Sequence, residues 1–154
     1  MVATRAYQEG DWFAVPLQWN GFGLGLVARA NRSGVLLGYF FGPRRDVVAE
    51  LSDVQLLTSK DAILVGKFGH LGLKGGEWPI VGRIAGWDRR DWPMPEFVRY
   101  EELTGRSFKV VYDDGNPNKR LREEEIQPGV AEQRPKDGLM GAGFVEIILT
   151  KLLA

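Results

Sequence analysis

Residues 11–41, DWFAVPLQWNGFGLGLVARANRSGVLLGYFF, decide the fold. In residues 11–17, Phe13, Val15 and Leu17 fall on one face of a strand by period two. Pro16 has no amide to donate, which places this strand or its end at a sheet edge. Asn20-Gly21 then signals a tight two-residue hairpin turn. In residues 22–30, Phe22, Leu24, Leu26, Ala28 and Ala30 share one side, and Gly23, Gly25, Val27 and Arg29 share the other. Glycines on that second side predict bending, or close packing by something bulky such as a tryptophan. Arg32-Ser33-Gly34 is a further turn, and residues 35–41 read as a nearly all-apolar third strand. The whole stretch is a three-stranded meander.

Outward from the meander, Gly42-Pro43-Arg44-Arg45-Asp46 breaks the strand pattern. Residues 47–58 contain a short helical turn, with Leu51, Val54 and Leu57 spaced three apart. Strands are predicted over residues 62–68, 78–84, 97–101 and 107–112. Residues 70–77 are glycine-rich and read as mobile, and residues 85–95 read as a loop bounded by prolines. Asp113-Asp114-Gly115-Asn116-Pro117-Asn118 is a dense turn cluster. Residues 119–126 fit a solvated edge strand paired with 107–112, and residues 127–138 are polar and irregular. Residues 144–153 carry an apolar stripe at 145, 148, 149 and 152, the spacing of a helix. The predicted fold is mainly β (α+β). It is a single domain over residues 1–154, with a curved antiparallel sheet or a partly open SH3-like barrel and a C-terminal helix.

Composition narrows the chemistry. A chain of 154 residues suits one domain and buries roughly two-thirds of its unfolded surface, so it needs no covalent staple. It has no cysteine, which excludes disulfides, thiolate metal sites and a cysteine nucleophile. Lys plus Arg and Asp plus Glu are each 20, so the strongly basic footprint of non-specific nucleic-acid binding is missing. No apolar run is long enough to span a bilayer. The first ten residues are polar and lack the apolar core of an export signal, so a cytoplasmic location is expected.

The sequence offers little for catalysis. His70 is the single histidine, and its Phe-Gly-His-Leu-Gly context has no serine or cysteine pattern. It reads as a loop or hydrogen-bonding residue. The glycine sets at 21–25 and 72–76 do not match the phosphate-binding pattern, which ends Gly-Lys-Ser/Thr. Asp88, Asp91, Glu101 and Glu102 would have to converge to form a hydrolytic pair; a salt-bridged loop is the simpler reading. No catalytic residue, metal ligand or cofactor is expected.

A binding surface is better supported. Trp87, Trp92, Met94 and Phe97 surround Asp88, Arg89, Arg90 and Asp91, and tryptophan and arginine are enriched where proteins meet. The simpler reading of these residues is that both tryptophans plug the open end of the sheet core. Glu123, Glu124 and Glu125 form a small acidic cluster, ordinarily just a solvated edge.

The segments that open the chain, Gly10-Asp-Trp-Phe-Ala-Val-Pro-Leu, Gly21-Phe-Gly-Leu-Gly-Leu-Val-Ala-Arg-Ala and Gly34-Val-Leu-Leu-Gly-Tyr-Phe-Phe-Gly-Pro, resemble the immunity protein 26 family of bacterial polymorphic toxin systems. So do Gly76-Glu-Trp-Pro-Ile-Val-Gly-Arg, Trp87, Trp92-Pro-Met-Pro and the end, Gly143-Phe-Val-Glu-Ile-Ile-Leu-Thr-Lys-Leu-Leu. The resemblance implies a cytoplasmic protein that binds a cognate protein toxin stoichiometrically and blocks it, with no catalytic residues to carry over. In that setting the glutamates at 123–125 could mimic phosphate toward a basic nuclease toxin and steer association. Two other classes compete: a nucleic-acid-binding SH3-like or oligonucleotide-binding barrel, and a hydrolase using a carboxylate pair.

Overall fold

The computed structural model describes residues 7–131 and 133–154. Its strands, in chain order, are β1 (Asp11–Pro16), β2 (Phe22–Arg29), β3 (Val35–Arg45), β4 (Leu64–Gly69) and β5 (Ile80–Arg83). They continue with β6 (Phe97–Glu101), β7 (Arg106–Asp113), β8 (Asn116–Ile126) and β9 (Leu139–Met140). The helices are α1 (Leu51–Val54), α2 (Leu71–Lys74), α3 (Pro128–Ala131) and α4 (Ala142–Leu152). The meander β1–β2–β3 is antiparallel and sits at the centre of a six-stranded sheet ordered β5-β1-β2-β3-β4-β9. A separate three-stranded sheet is ordered β6-β7-β8. Both sheets are open, so the barrel form of the expectation gives way to two stacked sheets and a C-terminal helix.

The larger sheet is covered on both faces, which is why β3 is almost wholly apolar. On one face Trp12, Leu24, Leu26, Tyr39 and Phe41 pack against Phe97, Val110 and Tyr112 of the smaller sheet. On the other, Phe13, Val15, Phe40 and Phe68 meet Leu73, Trp78, and Val145 and Leu149 of α4. Trp78 stacks on Phe13 at 5.6 Å and donates its indole N–H to Glu146 at 2.8 Å, fastening α4 to the aromatic cluster. The bulky group behind Gly25 is the Phe13 ring directly across the pair, not a tryptophan.

Several local expectations change. Asn20-Gly21 is not a two-residue turn: Pro16 pairs with Phe22, and Leu17 donates its amide to the Gly21 carbonyl. The positive φ values fall on Trp19 (75°) and Gly21 (85°), and the wider connection lets Leu17 reach the core. Pro16 lies beyond the stretch of β1 that pairs with β5, so the open edge is at the strand's end. β3 does not stop at Gly42 but runs to Arg45, because a register shift between Phe22 and Leu24 absorbs the proline. Residues 70–77 hold α2, whose Leu73 is buried, instead of an open glycine loop. The residues read as irregular before the C-terminal helix include α3 and lead into β9, which lies parallel to β4.

One shift matters for function. Between Val27 and Arg29 the β2–β3 register slips, so that Arg29 faces Leu37. Strict alternation would leave Arg29 beside Gly23, Gly25 and Val27; the bulge turns it to the face that carries Leu37 and the smaller sheet.

Candidate partner interface

Residues 85–95 connect β5 to β6 and contain a single 3-10 turn, Arg89–Asp91. Asp88 caps this turn by accepting from the Arg90 amide at 2.9 Å. The segment is held from below. Arg29, 1% exposed, donates to the main-chain carbonyls of Trp92 (3.0 Å), Ala28 (2.6 Å) and Asp114 (2.6 Å). Tyr39 donates its hydroxyl to the Pro93 carbonyl at 2.5 Å. Burial pushes the Tyr39 hydroxyl up to about 12, against the opposing charge of Arg29.

The predicted site residues divide in two. Trp92 is 8% exposed and meets Trp12, Tyr39 and Phe41 edge-on, so it is a core residue and not a surface anchor. Trp87 is half-buried, its indole lying against Gly10, and it walls a cleft of about 340 Å³ with Trp12, Leu57, Ile84, Asp88 and Asp91. Arg89 forms a two-pronged pair with Glu9 at 2.8 and 2.7 Å, which joins the turn to the residues before β1 and raises its pKa. Arg90 reaches into solvent and pairs with Asp88 at 2.8 Å. Side-chain and main-chain hydrogen bonds from Arg90 hold the Asp88 carboxyl down at about 2. Asp91 is exposed at the cleft mouth.

Glu123, Glu124 and Glu125 lie elsewhere. They face Val110, Lys109 and Phe108 across the β7–β8 pair, whereas Arg89 lies against the turn at Gly115. From Asp113 to Phe108 is five residues of strand, roughly 16 Å at the usual rise. Each glutamate has basic partners: Glu123 takes Arg99 and Arg120, Glu124 takes Lys109 and Arg122, and Glu125 takes Arg106. The cluster that reads as acidic in sequence is thus a ladder of ion pairs in the fold.

The other candidates are placed as follows. Asp88 and Asp91 share the cleft, but Glu101 lies on β6, paired with Arg99, and Glu102 follows it in the turn to β7. A hydrolytic pair needs one carboxyl kept protonated near neutral pH; Asp88 is driven the opposite way. His70 shares a hydrogen bond of 2.7 Å between its Nδ1 and the Tyr7 hydroxyl. No group of three or more metal-ligating side chains occurs among the described residues. Sequence reasoning missed Arg29 altogether. Its signal was a charged residue inside an apolar strand, where a bulge is needed to find it partners.

A family model described as Immunity protein 26 matches residues 8–109, more than half of the chain. The chain belongs to the Immunity protein 26 family. The match takes in the central meander, Arg29 and the whole loop of residues 85–95. It ends within β7, so the glutamates of β8, the short β9 and α4 of this Immunity protein 26 member lie outside it. No curated protein and no solved structure matches the chain. No described helix is long and apolar enough to cross a membrane.

Proposed function

We propose that the protein binds a bacterial protein toxin stoichiometrically in the cytoplasm and blocks it, and that residues 87–91 form the centre of the contact. The observation that carries this reading is the division of labour in the loop. Trp92 and the Arg29 clamp fix the backbone, while Trp87, Asp88 and Asp91 line a cleft and Arg90 stands in solvent beside it, paired with Asp88. A contact surface held rigid before binding loses little conformational entropy on association. A half-buried tryptophan ringed by charged groups has the composition of an interface hot spot. Membership of the Immunity protein 26 family supports a toxin as the partner.

Such a protein needs no chemistry of its own: covering the mouth of the toxin's active site suffices. Glu123, Glu124 and Glu125, each already paired, are expected to influence the rate of association more than the lifetime of the complex.

The test is titration of the protein against any toxin encoded by a neighbouring gene, with Trp87→Ala and Arg90→Ala as variants. Loss of a hot-spot side chain of about 2 kcal/mol raises Kd roughly 30-fold. Wild-type affinity in both variants would remove this loop from the interface.

A further inference from the structure

The far edge of the large sheet, at the opposite end of the strand order from β5, carries a second feature that the loop does not explain. β9 covers β4 only at Lys67 and Phe68. Just before β9, the chain leaves the row beside β4. Gly138, at φ 135°, makes the bend, and Lys136 has already crossed to pair with Val98 of β6. Asp137 is drawn toward the smaller sheet: its amide donates to the Val98 carbonyl of β6 at 2.7 Å, and its carboxylate accepts from the Tyr112 hydroxyl of β7 at 2.5 Å and lies 3.4 Å from Arg120 of β8. Residues 64–66 of β4 are therefore left, among the described residues, without a strand on that side.

The space so opened is a groove of about 810 Å³. Its far wall is α4, which has more apolar surface than the core uses. Val145 and Leu149 face the sheet and are buried, whereas Phe144, Ile148 and Leu152 form a second stripe along the groove. Phe144 is 55% exposed, Leu139 58% and Ile63 42%. An open strand edge beside exposed apolar side chains is a template for one more strand.

We propose that this groove receives an extended segment of another protein as an added strand alongside residues 64–66. Its alternate apolar side chains would lie against Phe144 and Leu152, and a carboxylate at its flank would meet Lys136. The charge selects this occupant. Of the charged residues lining the groove, Arg134 is paired with Glu96 and Asp137 with Lys67, while Lys136 is exposed with no carboxylate partner among the described residues. A second copy docked groove to groove about a two-fold axis would bring its own Lys136 to the same rim and add repulsion. Strand addition takes affinity from main-chain hydrogen bonds and selectivity from the side-chain pockets. The proposal does not rest on residues 87–91 being the toxin contact.

The probe is a fluorescein-labelled peptide, Asp-Val-Thr-Val-Thr-Val, followed by anisotropy and by amide shifts in 15N spectra of the full chain. Two control peptides replace its aspartate by lysine or its central valine by proline. The expected result is shifts centred on residues 64–66 and 139–141. The proline peptide, and the Phe144→Ser protein with the original peptide, should bind roughly tenfold more weakly, as for the loss of one good contact. Lys136→Glu should reverse the preference for aspartate over lysine in the peptide. Both substituted side chains are exposed, so the fold is retained. No shift at these amides at millimolar peptide, or equal binding of the proline peptide, would overturn the proposal. Shifts at the same amides that grow with protein concentration in the absence of peptide would overturn it in favour of a second copy.

Discussion

Arg29 Nη1 donates to the main-chain carbonyl of Trp92 at 3.0 Å, from a side chain that is almost wholly enclosed. The same guanidinium reaches the Asp114 carbonyl and lies 3.6 Å from the Asp114 carboxylate. One residue of the central sheet thus fixes both the 85–95 loop and the turn between β7 and β8. Replacing it by methionine keeps much of its volume and removes every donor. The buried carbonyls of Ala28 and Trp92 would then lose their Arg29 donor, at a cost of about 3 kcal/mol. Urea unfolding of Arg29→Met should show that loss, and amide exchange should quicken around residues 89–93 and 113–115. An unchanged midpoint would mean that another group or water takes the donors' place and that the clamp does not fix the loop.

The two tryptophans of the loop should respond differently. Trp92→Ala opens a hole against Trp12, Tyr39 and Phe41 and should cost about 3–5 kcal/mol. Trp87 is half-buried over Gly10, so Trp87→Ala should cost roughly 1–2 kcal/mol by lost apolar area and leave a folded protein. Denaturation of each variant, followed by toxin binding for Trp87→Ala, separates packing from contact. If Trp87→Ala destabilises as much as Trp92→Ala, both rings are core, and the proposed interface loses its centre.

What the sequence made legible follows from what alternation encodes. The meander could be read because both of its faces are buried, so its strands are bounded by turn residues and filled with apolar ones. The edge strand over residues 119–126 was legible because β8 pairs only with β7. Alternation does not survive a bulge, which is why Arg29 read as a residue of the glycine face. Nor does composition encode pairing across strands. Glu123, Glu124 and Glu125 read as one acidic run, yet the β7–β8 register delivers Lys109 and Arg106 to them. The two residues of β9 leave no periodic signal at all. The loop of residues 87–92 stood out by its tryptophans and arginines, but which ring is core and which is surface depends on the Arg29 and Tyr39 hydrogen bonds, and these are long-range contacts.

A second buried cation provides a separate test. Lys67 Nζ donates to the Tyr112 hydroxyl at 2.5 Å, lies 3.1 Å from Asp137 and sits 3.8 Å from the centre of the Tyr112 ring. The Lys67 and Asp137 side chains are both enclosed. Asp137→Ala leaves the lysine charge buried without its counterion and should cost about 3–5 kcal/mol. Lys67→Met together with Asp137→Ala removes both charges and should lose less than the sum of the two single changes. Urea titrations of the four proteins measure this coupling. Additive losses would show that the pair is not coupled and that Arg120 alone suffices for Asp137.

Tyr39 ties loop geometry to alkaline stability. Its hydroxyl is driven up to about 12, chiefly because burial disfavours the phenolate, and its proton is given to the Pro93 carbonyl. An unfolded tyrosine ionises near pH 10. The folded state therefore holds its proton more tightly than the unfolded chain, so this contribution is whole below about pH 10. It is lost as pH rises toward about 12. Tyr39→Phe gives up the Pro93 hydrogen bond, about 1 kcal/mol at neutral pH, and with it this part of the alkaline loss. Thermal melts between pH 8 and pH 12 should show a lower Tm for Tyr39→Phe at pH 8 and a shallower fall above pH 10. Lys67 and Tyr112 are common to both proteins, so the difference between the two curves belongs to Tyr39. Parallel curves would mean that the Tyr39 hydroxyl ionises without cost to the fold, and an equal Tm at pH 8 would mean that its bond to Pro93 does not hold the loop.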